Sequence, residues 1–385
     1  MALTKIIATI GPGSEDLSTI SNLIKAGANV FRLNLKHNNL DWHQNVIKKI
    51  KKAIIETKTT VGILLDFPDL NFQPTLKRLS LATKEEVDFI ALSLIKTKKD
   101  IENFKKWAQK ISFSPTILAK IETKESLKNF DSILEIADGI MVARGDLGEA
   151  IPIEEVPYYQ KEIIKKCIQK GKPVVTATQM LLSMVNNQKP TRAEVSDVAN
   201  AILDYTDAIM LSEETAIGKY PIEAVKTMQR IAQFWEQKRP AVPEIELNFE
   251  FKDQNSMLSY SAYQLWRSSL SFYQENNIKA FVAITEDGTN VKMLSRFRPN
   301  LPILSITCNK KLVDQLCLIY GAHPIYFKEY KNCYLKRNLN EIKKEILLAK
   351  KYYNLKKGDK VIFLYSENIE KLGKANVIRM QEIAY

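Results

Sequence analysis

Lys120-Ile121-Glu122 and Arg144-Gly145-Asp146 are the segments best equipped for chemistry, because each sets a cation and a carboxylate at the end of an apolar run. The first closes the stretch from Thr116 and the second closes D-G-I-M-V-A, residues 138–143. Charged side chains are rarely buried unless paired or holding metal. Where strand and helix alternate, strand ends that carry such groups line active sites. Two residues apart on a strand, Lys120 and Glu122 share a face. Glu122 and Asp146, on neighbouring strand ends, could jointly hold one hard divalent cation. Magnesium leaves its other positions to water and substrate oxygens. Lys120 would then face a transferring phosphoryl group or a developing enolate, where a fixed cation stabilises growing negative charge. The alternative is a structural salt-bridge lattice at the rim. Against it, residues 144–146 read as a Gly-rich, exposed turn.

Positioning such groups requires a repeated strand–helix frame. Strands are expected at Lys5–Ile10, Asn29–Leu35, Val61–Asp66, Phe89–Leu92, Thr116–Ile121, Gly139–Ala143, Pro173–Thr176 and Ala208–Leu211. Amphipathic segments separate nearly all of them, with helix-opening signals at Thr123 and Thr191. Eight strands with helical connections indicate an α/β chain folded as a (β/α)8 TIM barrel. A doubly wound sheet is the alternative, but an unbroken series favours closure. Arg32 and Asn34, Asp66, Thr178, and then Ser212, Glu213 and Glu214 add polar groups at further strand ends. The barrel is expected over residues 1–238. A Pro-bounded, acidic linker is expected over 239–252, and a smaller open α/β C-terminal domain over 253–385.

Composition narrows the function classes. The net charge of +12 invites a nucleic-acid reading. However, the lysines lie along helix faces without aromatic interleaving or a recognition motif, so no nucleic-acid partner is expected. The excess suits acidic, phosphorylated small molecules instead. No long apolar run and no signal peptide are evident, so no membrane association is expected. Cys167, Cys308, Cys317 and Cys333 show no metal spacing and read as reduced thiols, which points to the cytoplasm.

Longer motifs carry a family resemblance. T-K-I-I-A-T-I-G-P, A-G-A-N-V-F-R-L-N, K-I-E, D-G-I-M-V-A-R-G-D-L-G, K-P-V-V-T-A-T-Q-M-L, K-P-T-R-A-E-V-S-D-V-A-N-A-I and A-I-M-L-S-E-E-T-A all resemble pyruvate kinase. The likeness runs through the barrel to about Ala232 and more loosely beyond, in S-R-F-R-P, I-L-S-I-T and G-D-K-V-I. It implies phosphoryl transfer from phosphoenolpyruvate to ADP, giving pyruvate and ATP in glycolysis. By the same resemblance Arg32 contacts the substrate phosphate, Lys120 the phosphoryl group in flight, and Glu122 with Asp146 the Mg2+ or Mn2+ ion. Ala143 and Gly145, with Asp146, would shape the carboxylate pocket, and Thr178 would organise enolate protonation. Arg192 would bridge barrels across a subunit contact in a homodimer or homotetramer.

Departures from the family pattern matter as much. After Leu65-Asp66 the family reads roughly T-K-G-P-E-I-R and inserts a small lid domain. Here Phe67-Pro68-Asp69-Leu70-Asn71-Phe72-Gln73 leads straight to Leu79, so the lid is missing. Gln73 stands in for the arginine the family uses near the nucleotide phosphates, leaving Asn34 and His37 as candidate nucleotide contacts. Lys36 and Phe67 replace a serine and a threonine that help hold potassium. With Asn34 and Asp66 nearby, the Lys36 ammonium is expected to substitute for that ion, so added potassium should be unnecessary. The reading is therefore a lidless pyruvate kinase with a reduced nucleotide site. The alternatives are a weakly active pseudoenzyme kept for binding or assembly, and a metal-dependent lyase or decarboxylase acting on a pyruvate enolate.

Overall fold

The structure, a computed structural model, describes residues 2–240, 249, 251, 253–272, 277–328, 339–366 and 375–384. The chain divides into two compact units, Met1–Ile168 with Lys172–Arg239, and Gln169–Gly171 with Pro240–Tyr385. Most of the segment read as a linker lies outside the described residues.

The first unit is a closed barrel of eight parallel strands, β1 to β8 in sequence order. They are β1 Lys5–Thr9, β2 Val30–Asn34, β3 Gly62–Phe67, β4 Phe89–Leu92, β5 Thr116–Ile121, β6 Gly139–Ala143, β7 Val174–Ala177 and β8 Ala208–Leu211. The strands are buried almost throughout. This is why they read as continuous apolar runs rather than alternating ones. Between β1 and β6 lie α1 Leu17–Ala26, α2 Leu40–Thr57, α3 Phe72–Lys84, α4 Lys98–Lys110, α5 Lys124–Lys128 and α6 Phe130–Ile136. Beyond β6 come α7 Arg144–Ala150, α8 Val156–Lys170, α9 Arg192–Leu203, α10 Glu213–Ala216 and α11 Pro221–Lys238. Helix starts follow local chemistry. Thr123 with Ser126 and Thr191 with Glu194 form capping boxes that open α5 and α9, each satisfying backbone donors that a helix terminus leaves free.

Barrel closure rests on a fourfold device at the N-terminal strand ends. Asn29, just before β2, accepts a hydrogen bond from the Ile6 N–H of β1 at 2.9 Å. Asp88, before β4, accepts from Ile63 of β3 at 2.8 Å, and Asp138, before β6, from Ile117 of β5 at 2.9 Å. Asp207, before β8, does the same to Val174 of β7 at 3.1 Å. Each even strand thus brings a side chain that pins the preceding odd strand, which fixes register at the end of the barrel that serves stability. The opposite end is left for chemistry.

The second unit contains α12 Gln254–Phe272, β9 Ile278–Ile284, α13 Thr289–Ser295, β10 Ile303–Thr307 and α14 Lys310–Gln315. These are followed by β11 Ala322–Tyr326, α15 Leu339–Tyr353, β12 Lys360–Tyr365 and β13 Val377–Glu382. The sheet order is β11-β10-β9-β12-β13, with β13 antiparallel to β12 and the other pairs parallel. Trp266, Phe281 and Phe297 anchor the core on one side of the sheet. Strand β13 was not anticipated. Its sequence, V-I-R-M-Q-E, is half polar and only partly buried at the sheet edge, so it lacks the apolar run that betrays the inner strands.

The cysteine expectation needs correction. Cys167 and Cys317 are free and buried, but Cys308 is disulfide-bonded. Cysteine usage therefore no longer points to a reducing compartment. Among the described residues no helix is long and apolar enough to cross a membrane.

Asp314, on α14, gives a testable pH dependence. Burial raises its carboxyl from 3.8 to about 6, only partly opposed by Lys310. A raised carboxyl favours the protonated fold, so this group's contribution is complete below pH 4 and is lost as pH rises through about 6. Asp314→Asn should then stabilise the chain at pH 7.5 by at most about 3 kcal/mol and leave it unchanged near pH 4. Thermal melts of both proteins across that range check this; an equal shift at both pH values would refute it.

Candidate active site

The C-terminal ends of the barrel strands surround a cleft of about 1060 Å3. Its floor is a buried network of charges. Arg32, from β2, donates through Nε and Nη2 to Asp66 Oδ2, both at 2.8 Å, and through Nη1 to Thr9 Oγ1 at 3.0 Å. Lys120, from β5, lies 2.7 Å from Glu122 Oε1 and 3.5 Å from Asp66 Oδ1, and donates to Ser93 Oγ at 2.7 Å. Ser93 Oγ in turn donates to Asp66 Oδ1 at 3.3 Å. Glu122 Oε2 accepts the Leu94 N–H at 2.8 Å. The lattice considered as an alternative therefore exists, but it is open on one side. Arg32, Lys120 and Glu122 all line the cleft.

The electrostatics follow from this sharing. Burial alone would lower the Lys120 pKa, but the carboxylates of Asp66 and Glu122 overcome it and hold the ammonium above the ordinary lysine value. Asp66 is also buried, yet Lys120 and Arg32 keep its carboxyl below the usual range. Glu122 fares differently. Burial pushes its carboxyl up and the charge of Asp146 adds to that, against the pull of Lys120 and the Leu94 N–H. One ammonium divided between two carboxylates leaves Glu122 under-compensated, which is the condition a further cation relieves.

Asp146 lies in the first turn of α7, exposed and facing the cleft. Gly145 lines the cleft beside it, and its N–H donates to Thr178 Oγ1 at 2.7 Å. Thr178 follows β7 directly and also lines the cleft. Ala143, the last residue of β6, is 1% exposed and lies behind Gly145 in sequence rather than on the cleft surface. Asn34, Lys36, His37 and Trp42 form another part of the wall, from β2 into α2. Arg192 opens α9, exposed, and is not among the residues that line the cleft.

Several expectations change. Residues 144–146 are not an exposed turn: they begin α7, and the Arg144 side chain turns to Asp197 with Nη1 to Oδ1 at 2.6 Å and Nη2 to Oδ2 at 2.7 Å. Arg144 is thus no cation of the cleft. Lys36 is exposed with its N–H on Asn34 Oδ1, whereas Asp66 is 1% exposed and taken by Arg32, Lys120 and Ser93. Lys36 forms no ion pair with Asp66. Phe67 points away, packing edge-on against Phe104 with centroids 5.7 Å apart. Gln73 is exposed on α3 and is not among the residues lining the cleft. Glu214 is fully buried, where it accepts from the Leu181 and Ser212 N–H groups and ties two loops together.

Two participants were missed, Thr9 and Ser93. Each closes or directly follows a strand, β1 and β4, so position at the strand rim was the available signal. A lone hydroxyl carries no charge to draw attention to it.

Comparison with known proteins agrees with this geometry. The pyruvate kinase barrel-domain family model matches residues 1–73 and again 73–225, and the pyruvate kinase alpha/beta-domain model matches 264–381. The barrel match breaks at the point where the family carries its lid. A pyruvate kinase from Thermococcus litoralis is 32% identical over 477 aligned positions, covering 99% of this chain and 98% of that protein. One from Sporosarcina psychrophila is 32% identical, covering 100% of this chain and 81% of its own length. One from Bacillus licheniformis is 34% identical over 84% of this chain and 71% of its own. Alignments of more than 400 positions against a chain of 385 residues leave room for an inserted domain that this chain lacks. With the barrel, the rim charges and two matched domains in agreement, the chain belongs to the pyruvate kinase family.

Proposed function

We propose that this chain transfers the phosphoryl group of phosphoenolpyruvate to ADP without a lid, using a nucleotide site reduced to the barrel rim. The supporting observation is the Lys120 ammonium, fixed between Asp66, Glu122 and Ser93 and facing the cleft. In the reaction the bridging P–O bond of phosphoenolpyruvate breaks and a P–O bond to a terminal ADP oxygen forms. The enolate left behind takes a proton at its methylene carbon. Lys120 holds positive charge against the oxygens where charge accumulates, with no reorganisation needed at that moment. Arg32, braced by Asp66 and Thr9, presents its remaining donor capacity to the substrate phosphate. Gly145 bounds the carboxylate end, and Thr178 orients the group that protonates the enolate.

The donor set fits a divalent cation. Glu122 and Asp146 supply hard oxygens, Glu122 is under-compensated, and Asp146 is exposed to the cleft. Two carboxylates with room for substrate oxygens and water suit Mg2+ or Mn2+ better than an all-protein cage would. Such an ion would neutralise phosphate and enolate oxygens. Lys36, on the cleft wall beside Asn34, would supply a tethered positive charge there, so added potassium is expected to be unnecessary. Asn34 and His37 belong to the same wall, the one available to a nucleotide. Arg192 on α9 is assigned to a subunit contact, in a homodimer or homotetramer.

The cleft's charge inventory yields a ligand prediction. Arg32 and Lys120 are committed to Asp66 and Glu122, so among the described residues Lys36 alone offers the wall a cation outside that network, while Asp146, Glu149 and Glu213 add negative charge to it. ADP should therefore bind weakly, with a Kd near millimolar, about −4 kcal/mol. Phosphoenolpyruvate with magnesium should bind far more tightly. Separate calorimetric titrations test the assignment: tight ADP binding without phosphoenolpyruvate binding would reverse it.

A further inference from the structure

Thr178 and Gln179 both have left-handed backbone, φ +70 and +52. For a β-branched residue this is a true outlier, and such backbone persists only where its surroundings over-determine it. The surroundings are supplied by two successive residues at the junction of β6 and α7. Arg144 Nη2 donates to the Thr178 carbonyl at 2.8 Å, and Nε donates to the Ala177 carbonyl at 3.3 Å. Gly145 N–H holds the Thr178 hydroxyl, which itself donates to the Ala177 carbonyl at 2.6 Å. Asp197, on α9, grips the far side of the guanidinium through both carboxylate oxygens. A paired fork of this kind fixes orientation as well as position, which an ammonium cannot do.

We propose that Arg144 is a positioning residue: anchored by Asp197, it holds the turn after β7 so that Thr178 keeps its place on the cleft wall, where it orients the group that protonates the enolate. The inference rests on the part given to Thr178 in the proposed reaction. It also links two features of the site, because the junction that holds Thr178 carries Asp146 on its next residue.

Amide hydrogen exchange on the full chain tests the clamp without reference to catalysis. Arg144→Lys and Asp197→Asn should each speed exchange about tenfold or more in peptides covering 145–147 and 178–181, leaving β5 peptides unchanged. Unchanged exchange in both variants overturns the proposal. Kinetics supply the second arm. Arg144→Lys should lower kcat by about 10- to 100-fold, with the KM for phosphoenolpyruvate within about threefold of wild type. The double variant with Thr178→Ala should be no slower than Thr178→Ala alone, whereas multiplied losses would show that Arg144 acts elsewhere and defeat the claim. If the wild-type chain forms no pyruvate while the exchange result holds, the proposed reaction fails and the clamp on Thr178 survives.

Discussion

Lys120→Met is expected to slow phosphoryl transfer on the order of 10³-fold or more, the size seen when a charge aimed at the transition state is removed. The methionine keeps an unbranched side chain, one heavy atom shorter, and removes its charge. The Lys120 ammonium is the group that both Asp66 and Glu122 share. Losing it leaves two buried carboxylates with one cation fewer, so a stability loss of about 3–5 kcal/mol accompanies the change. Single-turnover rates on folded variant, verified by its melting curve, separate the two effects. Should Lys120→Arg keep the fold and fail in rate, the position of the charge matters as well as its sign. A near wild-type rate for folded Lys120→Met would remove Lys120 from the reaction.

Asp146→Ala should behave in the opposite way. Its carboxylate is exposed at the start of α7, so truncation should alter stability by no more than about 0.5 kcal/mol. Its loss should still weaken magnesium-dependent phosphoenolpyruvate binding by about 100-fold or more, because one of the two carboxylates proposed to hold the ion would be gone. Calorimetry with and without magnesium reads this directly. Tight, magnesium-dependent binding by the variant would mean that the ion is held elsewhere.

Much of this was legible in the residues themselves. Continuous apolar runs mark strands buried on both faces, and those of β5 and β6 end where charged residues appear. Lys120 and Glu122 could be paired from strand period alone. Side-chain direction was not legible. Arg144 and Asp146 are two residues apart, and a strand-like reading turned both toward the site. Because α7 starts at Arg144, the helix instead sends Arg144 to Asp197 and leaves Asp146 at the cleft. Nearness in sequence to Asn34 likewise said nothing about the depth at which Asp66 is buried, and Lys36 forms no ion pair with it. Thr9 and Ser93 escaped notice because neutral hydroxyls acquire meaning only when a neighbouring strand brings Arg32 or Lys120 against them. Edge strand β13 was missed because partial exposure lets its sequence stay polar.

The missing lid leaves the central question to one experiment. A lid ordinarily excludes water and completes a phosphoryl-transfer site, and here Phe67 to Asn71 lead directly into α3. The measurement is pyruvate formation from phosphoenolpyruvate with magnesium, by a coupled assay run with and without ADP, with ATP quantified alongside. Slow pyruvate formation that requires ADP and is matched one for one by ATP is the predicted result. Pyruvate released at the same rate without ADP, or none under either condition, would contradict the assignment of this chain as a working phosphotransferase.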